Sequence, residues 1–136
     1  KLPIVGIPTL DIVAAAQPIA KVKLAVVLQA GRGRLAMGRY EWSKNGWQPK
    51  GAPEVTRVDD LAESITEPVL VCGELTADER QRIRKNKNVL LASPAACARR
   101  PGILAELAWR RWQAGKVDNA ASLAPIYLHV AEPIPS

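Results

Sequence analysis

Hydrophobic residues along the chain fall into short runs that are separated by polar or turn-forming segments. Residues 24–28 are consecutively apolar, which is typical of a β-strand covered on both faces. A buried helical segment has the same pattern, but the shortness of the run, its two valines and the turn after Gln29 favour a strand. A second apolar segment runs from Arg34 to Trp42. We therefore predict a β-hairpin over residues 23–42, in the middle of the sheet.

The second strand of this hairpin divides its residues between two faces. Leu35 and Met37 fall on one face, and alternate residues from Ala36 to Trp42 fall on the other. This strand is predicted to be covered on both sides for part of its length.

Shorter patterns predict the other elements. Residues 43–53 are a loop by composition, and residues 124–136 form an extended Pro-rich tail. The predicted elements are a short strand at 4–7, a helix that Thr9 caps and Pro18 ends, an edge strand at 54–58, a short helix that Asp59 caps, a buried strand at 69–73, a helix from the Thr76/Glu79 capping box to about Arg84, a strand at 88–92, a turn opened by Ser93-Pro94, and a main helix at 101–114.

This order predicts an α/β fold. We expect a mixed five-stranded sheet, with three antiparallel strands followed by two parallel crossover strands and with helices packed on it. The arrangement resembles the ribonuclease H-like halves of the actin and hexokinase group. Residues 1–136 are predicted to form a single domain, since the chain is too short for two ordinary ones.

Composition limits the classes of function. Hydrophobic residues make up 48% of the chain, so a normal core is expected, and no apolar stretch is long enough for a membrane span. There is no signal-peptide pattern, so we expect a cytoplasmic protein. The abrupt start at Lys1 suggests the middle of a longer protein.

Two cysteines and one histidine restrict the metal and redox chemistry. Cys72 and Cys97 have no metal-like spacing, and we expect free, buried thiols, with one long-range disulfide as the alternative. With His129 as the single histidine and no CxxC motif, we expect no zinc site.

The formal net charge of +6 suggests either an anionic partner or simply well-solvated faces. The run QRIRKNKN at residues 81–88 could track a nucleic-acid backbone, but no aromatic residues are interleaved for base stacking.

Two glycine segments are candidates for nucleotide binding. Gly31, Arg32 and Gly33 could offer backbone N–H groups and a guanidinium to a phosphate, or form only a hairpin turn. Gly73 ends a strand where sugar-kinase-like folds hold adenosine, or serves only a strand-to-helix connection. Neither segment has the spacing of an established phosphate-binding motif.

No catalytic set is assembled from the sequence. His129 could be a general base or a surface histidine, and the carboxylate pairs Asp59/Asp60 and Glu106/Asp118 have simpler explanations in helix capping or no supporting geometry. No Ser-His-Asp or Cys-His arrangement can be built. We therefore expect neither catalytic nor metal-binding residues.

The main helix carries an apolar stripe and two tryptophans. Core packing is expected to take one of Trp109 and Trp112, and the other is expected to cover an exposed apolar patch. Such a patch predicts an interface with another part of a longer protein, or self-association.

Four stretches, in order, resemble the C-terminal region of the TsaB (YeaZ) family, a glycoprotease-like group of bacterial tRNA modification. They are GIPTLDIVA from Gly6, VVLQAGRGRLAMGRY from Val26, VLVCG from Val69 and LAPIYLH from Leu123. Positions shared with the family motifs include Gly6, Leu10, Pro125, Tyr127 and Leu128. The family's Asp-Ala-Arg turn is replaced by residues 29–31, the closing arginine by His129, and a second glycine after Gly73 by Leu75.

The resemblance implies a non-catalytic scaffold, the C-terminal half of a two-domain subunit. It would support TsaD-like and TsaE-like partners, which together form threonylcarbamoyladenosine in tRNA, so the tRNA would be an indirect partner. It implies no cofactor here, with ATP and Mg²⁺ confined to the wider complex. The alternatives are an ATP-dependent transferase or glycoprotease-like hydrolase of the same fold, and a basic RNA-binding module.

Overall fold

A computed structural model describes residues 1–128 of the chain. Within them the chain forms six strands and four helices. These are α1 (Thr9–Ala15), β1 (Lys23–Gln29), β2 (Leu35–Ser43), β3 (Gly46–Pro49), β4 (Glu54–Thr56), α2 (Val58–Ser64), β5 (Val69–Gly73), α3 (Ala77–Ile83), β6 (Val89–Leu91) and α4 (Pro101–Gln113), with a 3₁₀ turn at Pro94–Cys97.

The strands form one mixed sheet with the order β3-β2-β1-β5-β6. The β1–β2 hairpin is antiparallel and central, whereas β5 and β6 run parallel to β1. The predicted α/β class and the mixed arrangement are confirmed. The predicted edge strand is β4, which pairs antiparallel with the first half of β2.

The sheet has one strand more than the predicted five. The additional strand is β3, which pairs with the second half of β2 and lies in the segment predicted as a loop. Its sequence is mostly polar or turn-forming, but Trp47 is buried and its indole N–H donates to the backbone oxygen of Gln17 at 3.3 Å. Strand formation here depends on a distant partner, which local composition does not report.

Hydrophobic side chains cover the sheet on both faces, as the pattern of β1 predicts. Leu24 and Val26 join one buried cluster with α1, and Ala25 and Val27 join a second cluster with α2 and α3. The two cores explain why residues 24–27 are all buried.

Helix boundaries follow local signals. The predicted capping box of α3 is present, with Thr76 accepting from the Glu79 N–H and Glu79 accepting from the Thr76 N–H. The first turn of α1 follows Pro8, so Thr9 is its first residue and not its cap.

At the start of the chain, Ile4 forms only a single bridge, to Asp118, and not the predicted short strand. Among residues 1–128, no helix is long and apolar enough to cross a membrane.

Candidate functional site

The carboxyl ends of β1 and β5 lie side by side, because the two strands are parallel and pair from Lys23↔Val69 to Val27↔Gly73. In open α/β sheets, ligands bind in the crevice beyond this edge. The β1–β2 turn and the β5–α3 connection both leave from here, so both predicted glycine segments come to one end of the molecule. We call this end, residues 29–34 and 73–79, the carboxyl edge.

Gln29, the last residue of β1, joins the polar groups of the carboxyl edge. Its backbone N–H donates to Glu74 Oε2 at 3.1 Å, and its amide donates to the Glu74 backbone oxygen at 3.1 Å and to Glu79 Oε2 at 2.7 Å. The buried Glu79 carboxylate also accepts the Thr76 N–H at 2.8 Å. These groups satisfy one another, as a structural network does.

Glu74 has a further partner, since its side chain forms an ion pair with Arg99. Both side chains are more than one-third exposed, so the pair adds little stability. The pair does engage the Glu74 carboxylate, which faces out from the carboxyl edge toward Arg99.

Gly73 is explained by packing. Its φ is +118°, and a Cβ atom added there would lie 1.9 Å from the backbone oxygen of Val27. That oxygen accepts the Glu74 N–H at 2.8 Å. The glycine therefore lets β5 turn away while staying against β1, a requirement of the fold that needs no adenosine.

The β1–β2 turn is built from three consecutive residues with positive φ: Gly31 at 77°, Arg32 at 54° and Gly33 at 69°. The turn is closed by the Ala30 N–H donating to the Arg34 backbone oxygen at 2.9 Å and by the Arg34 N–H donating to that of Gly31 at 3.1 Å. The predicted hairpin turn is present, with an arginine at its tip.

Three arginines lie near this turn. Pairing of Leu35 with Thr56 brings Arg57 beside Arg34, and a Cβ on Gly33 would lie 3.8 Å from Arg57 Nη1. Arg32 and Arg57 are exposed and Arg34 is half-buried. Within the described residues, none of the three forms an ion pair with a carboxylate.

The two predicted carboxylate pairs are not placed as acid–base pairs, since their members have separate partners. Asp59 forms an ion pair with Arg82, and Asp59 and Asp60 lie in the first turn of α2, where they interact favourably with the helix dipole. The prediction that Asp59 caps this helix is wrong, because Arg57 holds the cap position and no side chain caps it. Glu106 pairs with Arg110 four residues on, and Asp118 has other partners. Within residues 1–128, no group of three or more histidine, cysteine or carboxylate side chains is placed to hold a metal ion.

Asp118 and Arg111 hold the start of the chain, a role that sequence reasoning missed. Asp118 Oδ2 accepts the Gly6 N–H at 2.8 Å, and the Arg111 guanidinium donates to the Gly6 backbone oxygen and lies 3.5 Å from Asp118 Oδ1. These partners are more than a hundred residues apart, so no local signal reveals them.

Most of the residues that resemble the family motifs lie close to this contact of Arg111 and Asp118 with Gly6. Gly6 packs against Leu123, where a Cβ would lie 2.9 Å from Leu123 Cδ1, and Leu10 is buried. Pro125 and Leu128 line a largely apolar cavity of about 600 Å³, which Arg111 and Asp118 also line, whereas the Tyr127 side chain is 74% exposed. His129 and the rest of the predicted tail lie outside the described residues.

The two cysteines are free and buried, as predicted. Burial raises the pKa of the Cys72 thiol, with Cys97 nearby adding to the shift, so Cys72 is not a reactive thiolate. Burial also raises the pKa of Tyr40 well above its usual range, and its hydrogen bond to Asp11, at 2.6 Å, acts in the same direction.

Trp109 and Trp112 are 56% and 44% exposed. The prediction that the core takes one of them is wrong, since no residue of α4 is buried. The helix packs on α1 and leaves both indoles outside, in contact with each other at a centroid distance of 4.9 Å.

No family model and no curated protein matches the sequence. The fold is similar to solved structures from Pseudomonas aeruginosa. An uncharacterized protein with similarity to peptidase YeaZ matches with a TM-score of 0.67 and 16% identity over 93% of this chain. A second structure, YeaZ, matches with a TM-score of 0.65 and 19% identity over 91%. The chain spans 59% and 58% of those two chains, and the likeness establishes a YeaZ-like fold.

Proposed function

We propose that this chain is a non-catalytic scaffold, the C-terminal domain of a TsaB/YeaZ-like subunit. It would support TsaD-like and TsaE-like proteins in forming threonylcarbamoyladenosine in tRNA, while those partners handle ATP and Mg²⁺. The likeness in fold and the order of the four sequence stretches support the proposal. Because the chain spans about three-fifths of its structural neighbours, the role of the whole subunit is part of the proposal.

One observation carries the non-catalytic part. At the carboxyl edge, Gln29, Glu74 and Glu79 are engaged with each other, and Glu74 also pairs with Arg99. An acid–base site needs groups that face a cleft with perturbed pKa values and free hydrogen-bonding positions. A network whose members are already partnered is suited to fixing β1 against β5 and α3.

The test is complementation. The full-length protein that contains this domain is expressed in a bacterial strain depleted of its own YeaZ-type protein, and threonylcarbamoyladenosine in bulk tRNA is measured by mass spectrometry. The proposal predicts that the modification is restored. Failure of a stably expressed protein to restore it would argue against the scaffold role.

A matched variant distinguishes the scaffold role from the enzyme alternative. Glu74→Gln removes the outward carboxylate while keeping its shape, so a scaffold carrying it should restore the modification as well as the unaltered protein. Loss of complementation by a Glu74→Gln protein that folds normally would favour the enzyme alternative.

A second candidate, contact with RNA, is favoured by the arginines of the β1–β2 turn. Arg32, Arg34 and Arg57 lie at one end of the molecule without carboxylate partners among the described residues. Each phosphate that a protein neutralises adds affinity that falls as salt rises.

Fluorescence titration against tRNA at two salt concentrations tests this candidate. Affinity that drops steeply with salt, and that Arg32→Ala/Arg57→Ala weakens further, would support it. Binding that Lys44→Ala/Lys116→Ala weakens equally would indicate only general attraction by the net charge.

A further inference from the structure

The sheet ends at β6, whose neighbour on one side is β5 and whose other side has no partner strand among the described residues. The Asn88 oxygen accepts the Val69 N–H at 3.0 Å. The Ala92 N–H donates to the Val71 oxygen at 2.9 Å. Backbone groups of successive residues in a strand point to opposite sides, so the intervening Leu91 directs its N–H and its oxygen away from the sheet.

The outward backbone groups of residues 89–91 are called the free edge. They are the Val89 oxygen and the N–H and oxygen of Leu91, and none of the three has a backbone partner within residues 1–128. By contrast, β3 at the other side of the sheet ends in Pro49, which has no N–H. Unpaired groups in a row are a template on which an extended peptide adds as a further strand.

Leu90 gives the free edge an apolar side chain. It is 49% exposed, whereas Val89 and Leu91 pack on the opposite face, against the cluster that α2 and α3 cover. A strand added to β6 would place a side chain beside Leu90, and apolar cross-strand pairs stabilise such pairing. An extended occupant with an apolar residue therefore suits this edge.

A basic segment leads into β6. Arg84, Lys85 and Lys87 are exposed, and within the described residues none of them forms an ion pair with a carboxylate. Asn86 fixes the backbone between them, since its amide donates to two backbone oxygens at the end of α2, at 2.7 and 2.8 Å. Three cations are thus held at the amino end of the free edge, where they favour carboxylates.

A peptide suits this surface better than a nucleic acid does. A nucleic acid would use the three cations but would leave the free edge and Leu90 without partners. The basic segment also has no aromatic residue on which a base could stack. An acidic peptide in extended conformation uses the cations, the backbone groups and the leucine together.

We propose that an extended acidic peptide of a partner protein adds as a strand to the outer side of β6. Its carboxylates lie beside Arg84, Lys85 and Lys87, and one of its apolar residues lies beside Leu90. The proposal does not depend on the proposed function.

The expected binding is weak and sensitive to salt. Because β6 has only three residues, few hydrogen bonds form, and we expect a dissociation constant of about 100 μM. The attraction between exposed charges is screened by salt, so the affinity should fall as the ionic strength rises.

Fluorescence anisotropy of a labelled peptide with the full chain tests the proposal. The probe has about ten residues, alternates valine and threonine, and carries two glutamates at each end. A second peptide with lysine in place of each glutamate should bind at least about tenfold more weakly. A third, with the glutamates kept but every valine and threonine N-methylated, lacks the N–H groups that the free edge requires and should be weakened by about as much.

Protein variants locate the contact. Lys85→Ser/Lys87→Ser should weaken binding of the glutamate peptide at least about fivefold. The control, Lys44→Ser/Lys116→Ser, removes the same charge from exposed positions elsewhere and should change the affinity less than about twofold.

Amide hydrogen exchange followed by NMR reports on the free edge itself. At a peptide concentration ten times the dissociation constant, exchange of the Leu91 N–H should slow about tenfold. The Leu90 N–H points toward β5 and should change little.

Four results would overturn the proposal. The first is no binding of the glutamate peptide at several hundred micromolar, which would mean that the lysines only protect the edge from pairing. The second is an N-methylated peptide that binds as tightly as the parent, and the third is unchanged exchange at Leu91. The fourth is a single-stranded oligonucleotide that binds more tightly than the peptide and depends equally on Lys85 and Lys87, which would assign the basic segment to nucleic acid.

Discussion

At the scale of single residues, Gly73 lies against the backbone of β1 with a φ of +118°. We predict that Gly73→Ala lowers the free energy of unfolding by about 2–5 kcal/mol. Roughly 1–2 kcal/mol arises from the backbone conformation and roughly 1–3 from the collision with the Val27 oxygen. Urea unfolding measures the loss.

Gly31→Ala is the matched control, because Gly31 also has positive φ but a Cβ there meets nothing within 4 Å. Its expected loss is the conformational part alone, roughly 1–2 kcal/mol. Equal losses for the two variants would show that close approach to β1 is not what requires Gly73.

Tyr40 makes the free energy of unfolding fall as the pH becomes alkaline. Because burial and Asp11 raise its pKa in the folded state, the folded protein keeps the phenol proton when the unfolded chain releases it. The stabilisation is complete below about pH 10 and is lost as pH rises above that value, by about 1.4 kcal/mol per pH unit. Cys72, whose pKa is also raised, adds a decline that begins near its ordinary pKa.

Tyr40→Phe separates the two contributions. It removes the hydrogen bond to Asp11, which should lower stability by about 1–2 kcal/mol at neutral pH, and it removes the tyrosine part of the alkaline decline. Urea unfolding at neutral pH and near pH 11 measures both. A variant that loses stability with pH as steeply as the unaltered protein would contradict the assignment.

At the scale of elements, the start of α3 connects helix capping to the sheet. Glu79→Ala removes the acceptor of the Thr76 N–H and one of the two acceptors of the Gln29 amide, so we predict that the free energy of unfolding falls by about 1–3 kcal/mol. Asp78→Ala, one position earlier, removes only an exposed ion pair with Arg82 and should change stability by less than about 0.5 kcal/mol.

Thermal unfolding of these two variants measures the difference. Similar midpoints for Glu79→Ala and Asp78→Ala would mean that the Gln29–Glu79 contact does not hold β1 to α3. The hydrogen bonds of the buried Glu79 carboxylate would then not be what stabilises the carboxyl edge.

Elements with strong local signals could be predicted from the sequence. The apolar run of β1, the turn at Gly31 and the Thr76/Glu79 box each fix their own conformation within a few residues. By contrast, β3 forms because Trp47 reaches Gln17 and β2 supplies a free edge. Partners of this kind cannot be read from composition.

The candidate site divides in the same way. The sequence identified the glycines of the carboxyl edge, but the glycine pattern alone could not separate packing from binding. That distinction came from the Val27 oxygen beside Gly73 and from the Gln29 network. The outward placement of Trp109 and Trp112 depends on which side of α4 lies against α1. The apolar residues of α4 cover a wide arc, so the sequence pattern does not decide which side that is.

At the scale of the whole molecule, a mixed sheet with two buried faces holds a carboxyl edge at which Gln29, Glu74 and Glu79 are used internally. Two other surfaces of the described residues have chemical character, the arginine turn and the exposed tryptophans of α4. Both are suited to partners, which is consistent with a supporting role.

Isothermal titration of the chain with Mg-ATP tests most directly whether the carboxyl edge is structural. A structural edge should give no saturable heat at nucleotide concentrations up to about 1 mM, the upper end of the KM range common among enzymes. Saturable 1:1 binding that Arg32→Ala weakens, and that Lys44→Ala leaves unchanged, would contradict it.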